Sequence, residues 1–596
     1  MTWPSLVTWV IVGAALFTAA ASIVTAWSAP PLNSGDEAAH LDYAIDVWHG
    51  QLPVFENGVT NVPPFGTVPP VQWVAQHPPF YYAVLAPFVG PLWDAHHPYI
   101  AVLAGRSVNA VFAAATVIAV GWAARRVMPR RPAVAAVAAV IVSLTPMFLL
   151  VGGSIYNDLP NMLFGALAIG VAASALRSGL STRLVVGGTV IATLGILTRL
   201  SFVVFLVAVV VAFLLARWRR SGFWTDWRGH LVAVAAVIAV PVASSAWFWL
   251  RNLRLTGSIV GNHPEWGEEH LRRRTMTWDE VVGDASWWSR LFALFRGHLE
   301  GNSDWTYLLL LGPLVLALLV GIVVAVVGLV RRTTRGRRVV EAAQTAQTAQ
   351  TARTAQTGAG AGAGAGTGIR RRNRTVGAEV LPRTRAETLA DLLIVAMLVA
   401  LTVGVLFLQV RFSMTGGAPN VRYSLPLMPI LAIPMAFGLT GLGRFVAPVV
   451  TVLWMEVTGY IWFQIQNVTT PAFTSVHTLT VSRAALVAGL VLLAATIAGV
   501  SVLEGRRRVT AVVADGPAEQ EPTDAAPVPA AAAAPTTAAA PTTAAAPTTA
   551  AAPTTAAAPV APPEPTAPGS APDPSPSPEQ PTWTPPSIPE PPQHRA

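Results

Sequence analysis

The chain has 596 residues, of which 53% are hydrophobic and only 12% charged, and its mean hydropathy is +0.52. This composition excludes an ordinary soluble enzyme and indicates many membrane-spanning helices. All 39 basic residues behind the net charge of +9 are arginines. They lie mostly between apolar segments, where they orient helices in a membrane instead of binding nucleic acid. The chain has no cysteine, which excludes disulfides and thiolate chemistry.

Long apolar segments recur along the chain and predict an all-α integral membrane protein. We expect about twelve transmembrane helices, within a range of roughly 11 to 13. The first segment lacks a basic N-terminal region and is too long for a signal peptide, so we expect it to be retained as a helix. The predicted spans are residues 5–27, 101–123, 132–151, 159–176, 184–198, 200–217, 231–250, 306–330, 388–409, 424–442, 445–465 and 483–503.

The distribution of arginines predicts the orientation of the chain in the membrane. The segment 28–100 contains no lysine or arginine, whereas the next connection carries Arg125, Arg126, Arg130 and Arg131. Because positively charged connections stay in the cytoplasm, we expect a cytoplasmic N-terminus, a cytoplasmic C-terminal tail and an external segment 28–100. A chain with arginine as its only strong base and a bias to alanine and proline is typical of a GC-rich bacterium. We therefore expect a multi-pass protein of the bacterial cytoplasmic membrane.

Two low-complexity stretches interrupt the apolar pattern. An Ala-Gln-Thr repeat with Gly-Ala alternation, and a tail rich in Ala, Pro and Thr, cannot bury a core and are predicted to be disordered. The short piece Pro78–Trp93 is predicted as an interfacial helix, with Tyr81, Tyr82 and Trp93 at headgroup depth. The predicted organisation is a transmembrane core at 1–330 with external loops 28–100 and 251–305, a disordered cytoplasmic insert at 331–387, further transmembrane helices at 388–508 and a disordered tail at 509–596.

The stretch after the first span carries the first candidates for chemistry. Ser34 and Glu37 have the S-x-x-E spacing of a capping box, so one interpretation is a helix start at which Asp36 and Glu37 complement the N-terminus. The other interpretation is an active site. Asp36 and Glu37 precede His40 by four and three residues, which places carboxylates and an imidazole on one helix face. Tyr43 continues this face. Such a group can act as a general base or bind a metal ion.

Further candidates lie in connections that we expect on the external side. His77 opens the motif His-Pro-Pro-Phe-Tyr-Tyr, in which the prolines keep the preceding residues extended; a lone exposed histidine, however, is more often inert. Asn157 and Asp158 lie in a short turn between two predicted spans. Asp158 either complements the N-terminus of a helix or joins Asp36 as a second carboxylate.

Arginines at the predicted external surface are exceptions to the charge pattern. Arg199 lies in the turn Leu-Thr-Arg-Leu-Ser, and Arg422 and Tyr423 precede a predicted span. A permanently charged, bidentate guanidinium suits a lipid-linked phosphate; the alternative is that these arginines reach towards lipid headgroups. Glu456 falls near the middle of a predicted span, where a carboxylate is costly and therefore a functional candidate.

Five motifs together carry a resemblance to a known class of membrane enzymes. In chain order they are Gly-Asp-Glu-Ala-Ala-His-Leu-Asp-Tyr, His-Pro-Pro-Phe-Tyr-Tyr, Gly-Ser-Ile-Tyr-Asn-Asp, Leu-Thr-Arg-Leu-Ser and Arg-Tyr-Ser-Leu-Pro. They resemble the GT-C class of polytopic glycosyltransferases, in particular the protein O-mannosyltransferases and aminoarabinose transferases. The pattern is nearest to a family of predicted bacterial membrane proteins of unknown function. It extends over residues 5–440, and the insert and tail have no counterpart in it.

The resemblance implies roles for individual residues. It implies that the acid of the first external loop is the catalytic base, which falls on Asp36 with Glu37 as the alternative, and that Asp158 is a second catalytic acidic residue. It also implies that basic residues at the outer interface bind the lipid phosphate. The candidates for substrate binding are His40, Tyr43, His77, Asn157, Arg199, Arg422 and Tyr423.

The function expected from the sequence is the inverting transfer of a sugar from a polyprenyl-phosphate donor to an acceptor on the outer face of the membrane. The expected partners are the lipid-linked sugar, membrane lipid, and a glycan or protein acceptor of the cell envelope, without nucleic acid. No cofactor is assigned, and a divalent metal ion is left open. Two alternatives remain: a transporter or flippase of a lipid-linked glycan, for which midplane charges and repeats are typical, and a non-catalytic scaffold of the same fold.

Overall fold

The computed structural model describes residues 3–32, 35–216, 226–291, 385–417 and 420–441, with the single positions 319, 321–323 and 487. All regular secondary structure in these ranges is helical, which confirms the all-α class. The α-helices are α1 (Trp3–Ser28), α2 (Gly35–Trp48), α3 (Phe80–Asp94), α4 (Pro98–Val127), α5 (Pro132–Ser143), α6 (Pro146–Gly152), α7 (Asp158–Ser178), α8 (Thr182–Thr198), α9 (Val203–Leu215), α10 (Trp227–Thr256), α11 (Pro264–Leu271), α12 (Trp278–Gly283), α13 (Ala285–Leu291), α14 (Arg385–Met414) and α15 (Met428–Gly441).

Six helical segments in the described ranges are long and apolar enough to cross a membrane. They are α1, α4, α7, α10, α14 and the segment Val421–Gly441, in which a 3₁₀-helix at Val421–Leu427 leads into α15. Helices α8 and α9 are apolar but shorter. The chain is therefore a membrane protein. The count of twelve spans stays a prediction, because the predicted spans at 306–330, 445–465 and 483–503 lie almost entirely outside the described residues.

The predicted span at 132–151 is not one straight helix. The structure divides it into α5 and α6, which meet at an angle of 65°. Pro146 explains the break, because its ring removes a backbone donor and disfavours helical geometry in the residue before it. Thr145 is accordingly extended, with φ −72° and ψ 116°. The bend directs α6 into the turn that precedes α7.

Helix α4 contacts α1, α5 and α7 and lies between them. Close approach at these contacts depends on glycine. A β-carbon on Gly121 would lie 2.8 Å from Ile11 of α1, and one on Gly170 of α7 would lie 1.9 Å from the ring of Trp122. Small residues allow membrane helices to approach closely enough for van der Waals packing to hold them together. These glycines therefore fix how α1 and α7 pack on α4, and hence where the turns at the helix ends meet.

The helix predicted at Pro78–Trp93 is present as α3, which is not among the segments long and apolar enough to cross a membrane. Its depth at the interface stays a prediction. Tyr81 and Tyr82 suited headgroup depth in the sequence, but both are fully buried, because α3 packs against α2 and α4. Trp93, at the far end of α3, remains partly exposed. Helix α3, itself part of the segment 28–100, is therefore packed into the structure through its contacts with α2 and α4.

The two ends of the helix bundle carry different charged residues. Arg177, in the last turn of α7, pairs with Asp391 of α14 at 2.8 Å, and Arg130 pairs with Glu387 at 2.9 Å. Asp158 begins α7 at the opposite end. The arginine-rich connections and the acidic candidates are thus at opposite ends of the helices, as the charge pattern predicted. Which end faces the cytoplasm stays a prediction.

Some predicted features lie outside the described residues. These are Ser34 of the proposed capping box, Glu456, the tail and almost all of the predicted insert. The last residues assigned to the insert, 385–387, belong instead to the first turn of α14.

Candidate functional site

Asp36 and Arg422 form an ion pair between two distant parts of the chain. Asp36 lies in the first turn of α2, and Arg422 lies in the 3₁₀-helix before α15. The Asp36 carboxylate accepts a hydrogen bond from Nη2 of Arg422. The guanidinium carbon of Arg422 lies 4.3 Å from the centroid of the Tyr156 ring, a cation–π distance. The Arg422 side chain is only 9% exposed, whereas that of Asp36 is 35% exposed. The arginine is thus held by protein while its carboxylate partner also meets solvent.

A second ion pair joins Asp158 and Arg199. Asp158 is buried in the first turn of α7, and Arg199 follows the end of α8 in an extended conformation. The guanidinium carbons of Arg199 and Arg422 lie 5.4 and 5.1 Å from the centroid of one ring, that of Tyr423. This ring therefore brings the two ion pairs together. Asp36, Arg422, Asp158, Arg199 and Tyr423 are called the ion-pair cluster below.

Glu37 is engaged in a different contact from its neighbour in sequence. Both of its carboxylate oxygens accept from Arg106, at 2.8 Å each, and one also accepts from the backbone N–H of Ile155 at 3.1 Å. Arg106 donates its remaining hydrogen bonds to backbone carbonyls at the end of α1. Glu37 thus ties α2 to α4 and to the turn before α7, and through Arg106 to the end of α1. Arg106 was missed because it was counted inside an apolar span, although a charge within a span is itself a signal.

His40 and His77 line the cluster as neutral groups. Burial lowers the pKa of both histidines well below the usual value of 6.5, and the nearby arginines lower it further. The two rings are stacked with centroids 6.4 Å apart. His40 Nδ1 shares a hydrogen bond with the Tyr82 hydroxyl at 2.9 Å, and the Tyr43 hydroxyl donates to the backbone carbonyl of His77 at 2.9 Å. Tyr43 thus positions the backbone of His77 beside the ion-pair cluster. The two imidazoles are polar but uncharged neighbours of the cluster.

Asn157 immediately precedes the second acid and is almost fully buried. Its side-chain nitrogen has no hydrogen-bond partner among the described residues. The same holds, within the described part of the chain, for Nε of Arg422. Buried polar groups are usually paired, since an unpaired donor costs free energy. Two unused donors in or beside the ion-pair cluster are therefore available to an oxygen-rich ligand.

A pair of buried carboxylates, not among the candidates expected from the sequence, holds the loop after α2 in place. Asp42 and Asp46 lie one turn apart on α2, and both accept hydrogen bonds from Thr60 and Asn61. Asp42 also accepts from Gln72. Burial and the neighbouring Asp42 raise the pKa of Asp46 to about 6. The i, i+4 spacing of these acids was a signal for a shared face. Together they fix the loop that leads to the His-Pro-Pro motif.

The cluster does not fit a divalent metal ion. Among the described residues, no three His, Asp or Glu side chains are grouped to hold one. Asp36 and Asp158 each face an arginine instead. A guanidinium at the carboxylate repels a second cation. No chemical step proposed below uses a metal ion.

Comparison with known proteins shows similarity at the level of solved structures. No family model and no curated protein matches the sequence. The oligosaccharyltransferase AglB from Archaeoglobus fulgidus, in complex with an inhibitory peptide and a dolichol-phosphate, matches at 11% identity and a TM-score of 0.40, over 83% of this chain and 56% of that one. The chain thus spans just over half the length of the archaeal enzyme.

A bacterial structure matches over a larger share of its length. ArnT from Cupriavidus metallidurans, bound to undecaprenyl phosphate, matches at 15% identity and a TM-score of 0.39, over 84% of this chain and 73% of that one. The archaeal match is named as an oligosaccharyltransferase, and both structures are described as holding a lipid phosphate. TM-scores this low do not transfer a function, so the function proposed next rests on the contacts of the ion-pair cluster.

Proposed function

We propose that this membrane protein is a glycosyltransferase that moves a sugar from a polyprenyl-phosphate donor to an acceptor hydroxyl. The observation that carries the proposal is the ion-pair cluster, in which two aspartates and two arginines from four separate segments meet around Tyr423. Transfer from a phosphate-activated sugar needs these two functions side by side: a carboxylate base for the acceptor and cations for the departing phosphate.

Asp36 is the best-placed base among the acidic residues of the site. Both oxygens of Glu37 are already occupied by Arg106, and the Asp158 side chain is only 2% exposed. The Asp36 side chain is 35% exposed and can therefore meet an incoming hydroxyl. We assign Asp36 as the catalytic base, Asp158 as the positioning partner of Arg199, and Glu37 as a structural anchor.

The proposed reaction is a single displacement at the anomeric carbon. The acceptor oxygen forms a bond to this carbon as its proton passes to Asp36. The bond from the carbon to the phosphate oxygen breaks, and its electron pair remains on the phosphate. Arg422 and Arg199 then stabilise the additional negative charge of the polyprenyl phosphate product. One displacement inverts the configuration of the sugar.

The placement of the cluster suits a lipid-linked donor. It lies at the ends of apolar helices, so the donor phosphate would sit at headgroup depth while its chain remains in hydrocarbon. We place this end of the bundle on the outer face of a bacterial cytoplasmic membrane, because the opposite end carries the arginine-rich connections. The acceptor would then be a glycan or protein of the cell envelope.

The proposal is tested by transfer from labelled polyprenyl-phosphate sugars in membranes that contain the full-length protein, with cell-envelope extract as the acceptor source. We expect Asp36→Asn to lower the release of polyprenyl phosphate by about a hundredfold or more, since the general base is lost. The matched control is Asp279→Asn, which removes an exposed carboxylate of α12 and should leave transfer unchanged. Undiminished transfer by Asp36→Asn would rule out the assigned base. If the wild-type protein moved the donor across vesicles without transferring sugar, it would be a transporter instead.

A further inference from the structure

Each aspartate of the ion-pair cluster forms an ion pair with an arginine. We propose, on the basis of the glycosyltransferase function above, that the donor phosphate exchanges with the Asp36 carboxylate on Arg422. This exchange releases the catalytic base only when the donor has bound. The donor therefore binds before the acceptor is activated. Until then, Asp36 stays paired with Arg422 and does not deprotonate an acceptor.

The hydrogen bonds of Arg422 support the exchange. Nη2 contacts the Asp36 carboxylate and, at 3.4 Å, the Tyr423 hydroxyl. Nε is buried and has no partner among the described residues. A phosphate presents several oxygens and can accept from Nε and Nη2 together, the bidentate geometry that arginine favours. The phosphate would thus satisfy a donor that Asp36 leaves unsatisfied, which favours it over the carboxylate.

Solvent exposure determines which aspartate leaves its arginine. The Asp158 side chain is 2% exposed, so separation from Arg199 would leave a charge buried without a partner, which is strongly unfavourable. The Asp36 side chain is 35% exposed, so water can hydrate its carboxylate after release. The exchange therefore takes place at Arg422, while the pair of Asp158 and Arg199 persists.

The charges balance at each stage of the exchange. A polyprenyl-phosphate sugar is a phosphodiester with one negative charge, so on Arg422 it replaces one carboxylate charge with another. During transfer Asp36 takes the acceptor proton and becomes neutral, while the phosphate gains the electron pair of the broken bond. Arg199, on the same tyrosine ring, lies close enough to share this added charge. When Asp36 returns its proton to water, it again competes for Arg422 and helps to displace the product.

The exchange predicts that removal of the acid tightens the binding of lipid phosphate. The experiment measures the dissociation constant of a short-chain polyprenyl phosphate for the full-length protein in lipid nanodiscs. We expect Asp36→Asn to bind it about tenfold more tightly than the wild type, because the competing carboxylate of a partly exposed ion pair is gone. Asp36→Ser removes the same carboxylate, and its affinity is measured as well in case the asparagine variant does not fold. Asp36→Glu keeps the competitor and should bind as the wild type does. Arg422→Lys cannot donate two parallel hydrogen bonds to one phosphate and should bind it more weakly.

Unchanged or weaker binding by both Asp36→Asn and Asp36→Ser would overturn the exchange. This result can be separated from failure of the proposed function. If Asp36→Asn abolishes transfer without a change in affinity, the exchange is wrong and the glycosyltransferase stands. If the wild-type protein neither binds the polyprenyl phosphate nor transfers sugar, both proposals fall.

Discussion

At the scale of single residues, Asp36 and Glu37 show how neighbours in sequence acquire different roles. Successive residues on a helix point in directions about 100° apart, so one carboxylate faces Arg422 and the other faces Arg106. Glu37 and Arg106 are both buried, at 4% and 2% side-chain exposure, with every Glu37 oxygen in use. Such a pair is a fixed anchor, whereas the partly exposed pair of Asp36 and Arg422 is free to exchange.

The anchor leads to a prediction about stability. Glu37→Gln leaves the Arg106 guanidinium buried without a counter-charge, and we expect it to lower the free energy of unfolding by about 3 kcal/mol or more. The measurement is the unfolding midpoint of the purified protein in detergent. Asp36→Asn is the matched control and should shift the midpoint much less, since its pair is partly exposed. A larger loss for Asp36→Asn than for Glu37→Gln would contradict these assignments.

At the scale of elements, α2 positions the loop that follows it as well as the first residue of the ion-pair cluster. Its first turn supplies the two acids discussed above, and its later turns supply Asp42 and Asp46, which hold Thr60 and Asn61. The bend between α5 and α6 has a related effect, because α6 leads into the turn whose Ile155 N–H donates to Glu37. Short polar segments are thus fixed by buried hydrogen bonds to helices.

The loop contact has a pH dependence of definite sign. Burial raises the pKa of Asp46 from 3.8 to about 6, so the folded protein holds this proton more tightly than the unfolded chain does. The contribution of Asp46 to stability is then fully present below about pH 3.8 and is lost as the pH rises through about 6. We expect the difference in unfolding midpoint between Asp46→Asn and the wild type to grow in favour of the variant over this interval. A difference that stays constant with pH would show that folding does not raise the pKa of Asp46.

At the scale of the whole molecule, the chain separates two kinds of charge along its helices. The ion-pair cluster lies where α7 begins, and Arg177 lies where α7 ends and pairs with α14. This separation of charge along the helices is the arrangement that the positive-inside rule expects of a helix bundle in a membrane. The predicted orientation rests on this separation of charge and stays a prediction.

The orientation can be tested without background labelling, because the chain has no cysteine. Glu56→Cys introduces a thiol in the external loop, where the native side chain is 61% exposed. Ser178→Cys introduces one at the exposed end of α7. We expect a membrane-impermeant maleimide to label Glu56→Cys in intact cells and to label Ser178→Cys only after permeabilisation. The reverse pattern would invert the proposed topology and place the ion-pair cluster in the cytoplasm.

The sequence alone determined the membrane class, the helical content and the residues that could carry chemistry, because apolar length, arginine placement and short polar motifs are local properties. Only the tertiary structure decided how those residues pair. Asp36 meets Arg422 across 386 positions and Glu37 meets Arg106 across 69, contacts that no local pattern specifies. They arise because glycines bring α1 and α7 close to α4 and because each buried charge requires a partner. The identity of the candidate base therefore follows from burial and pairing, which are properties of the folded chain.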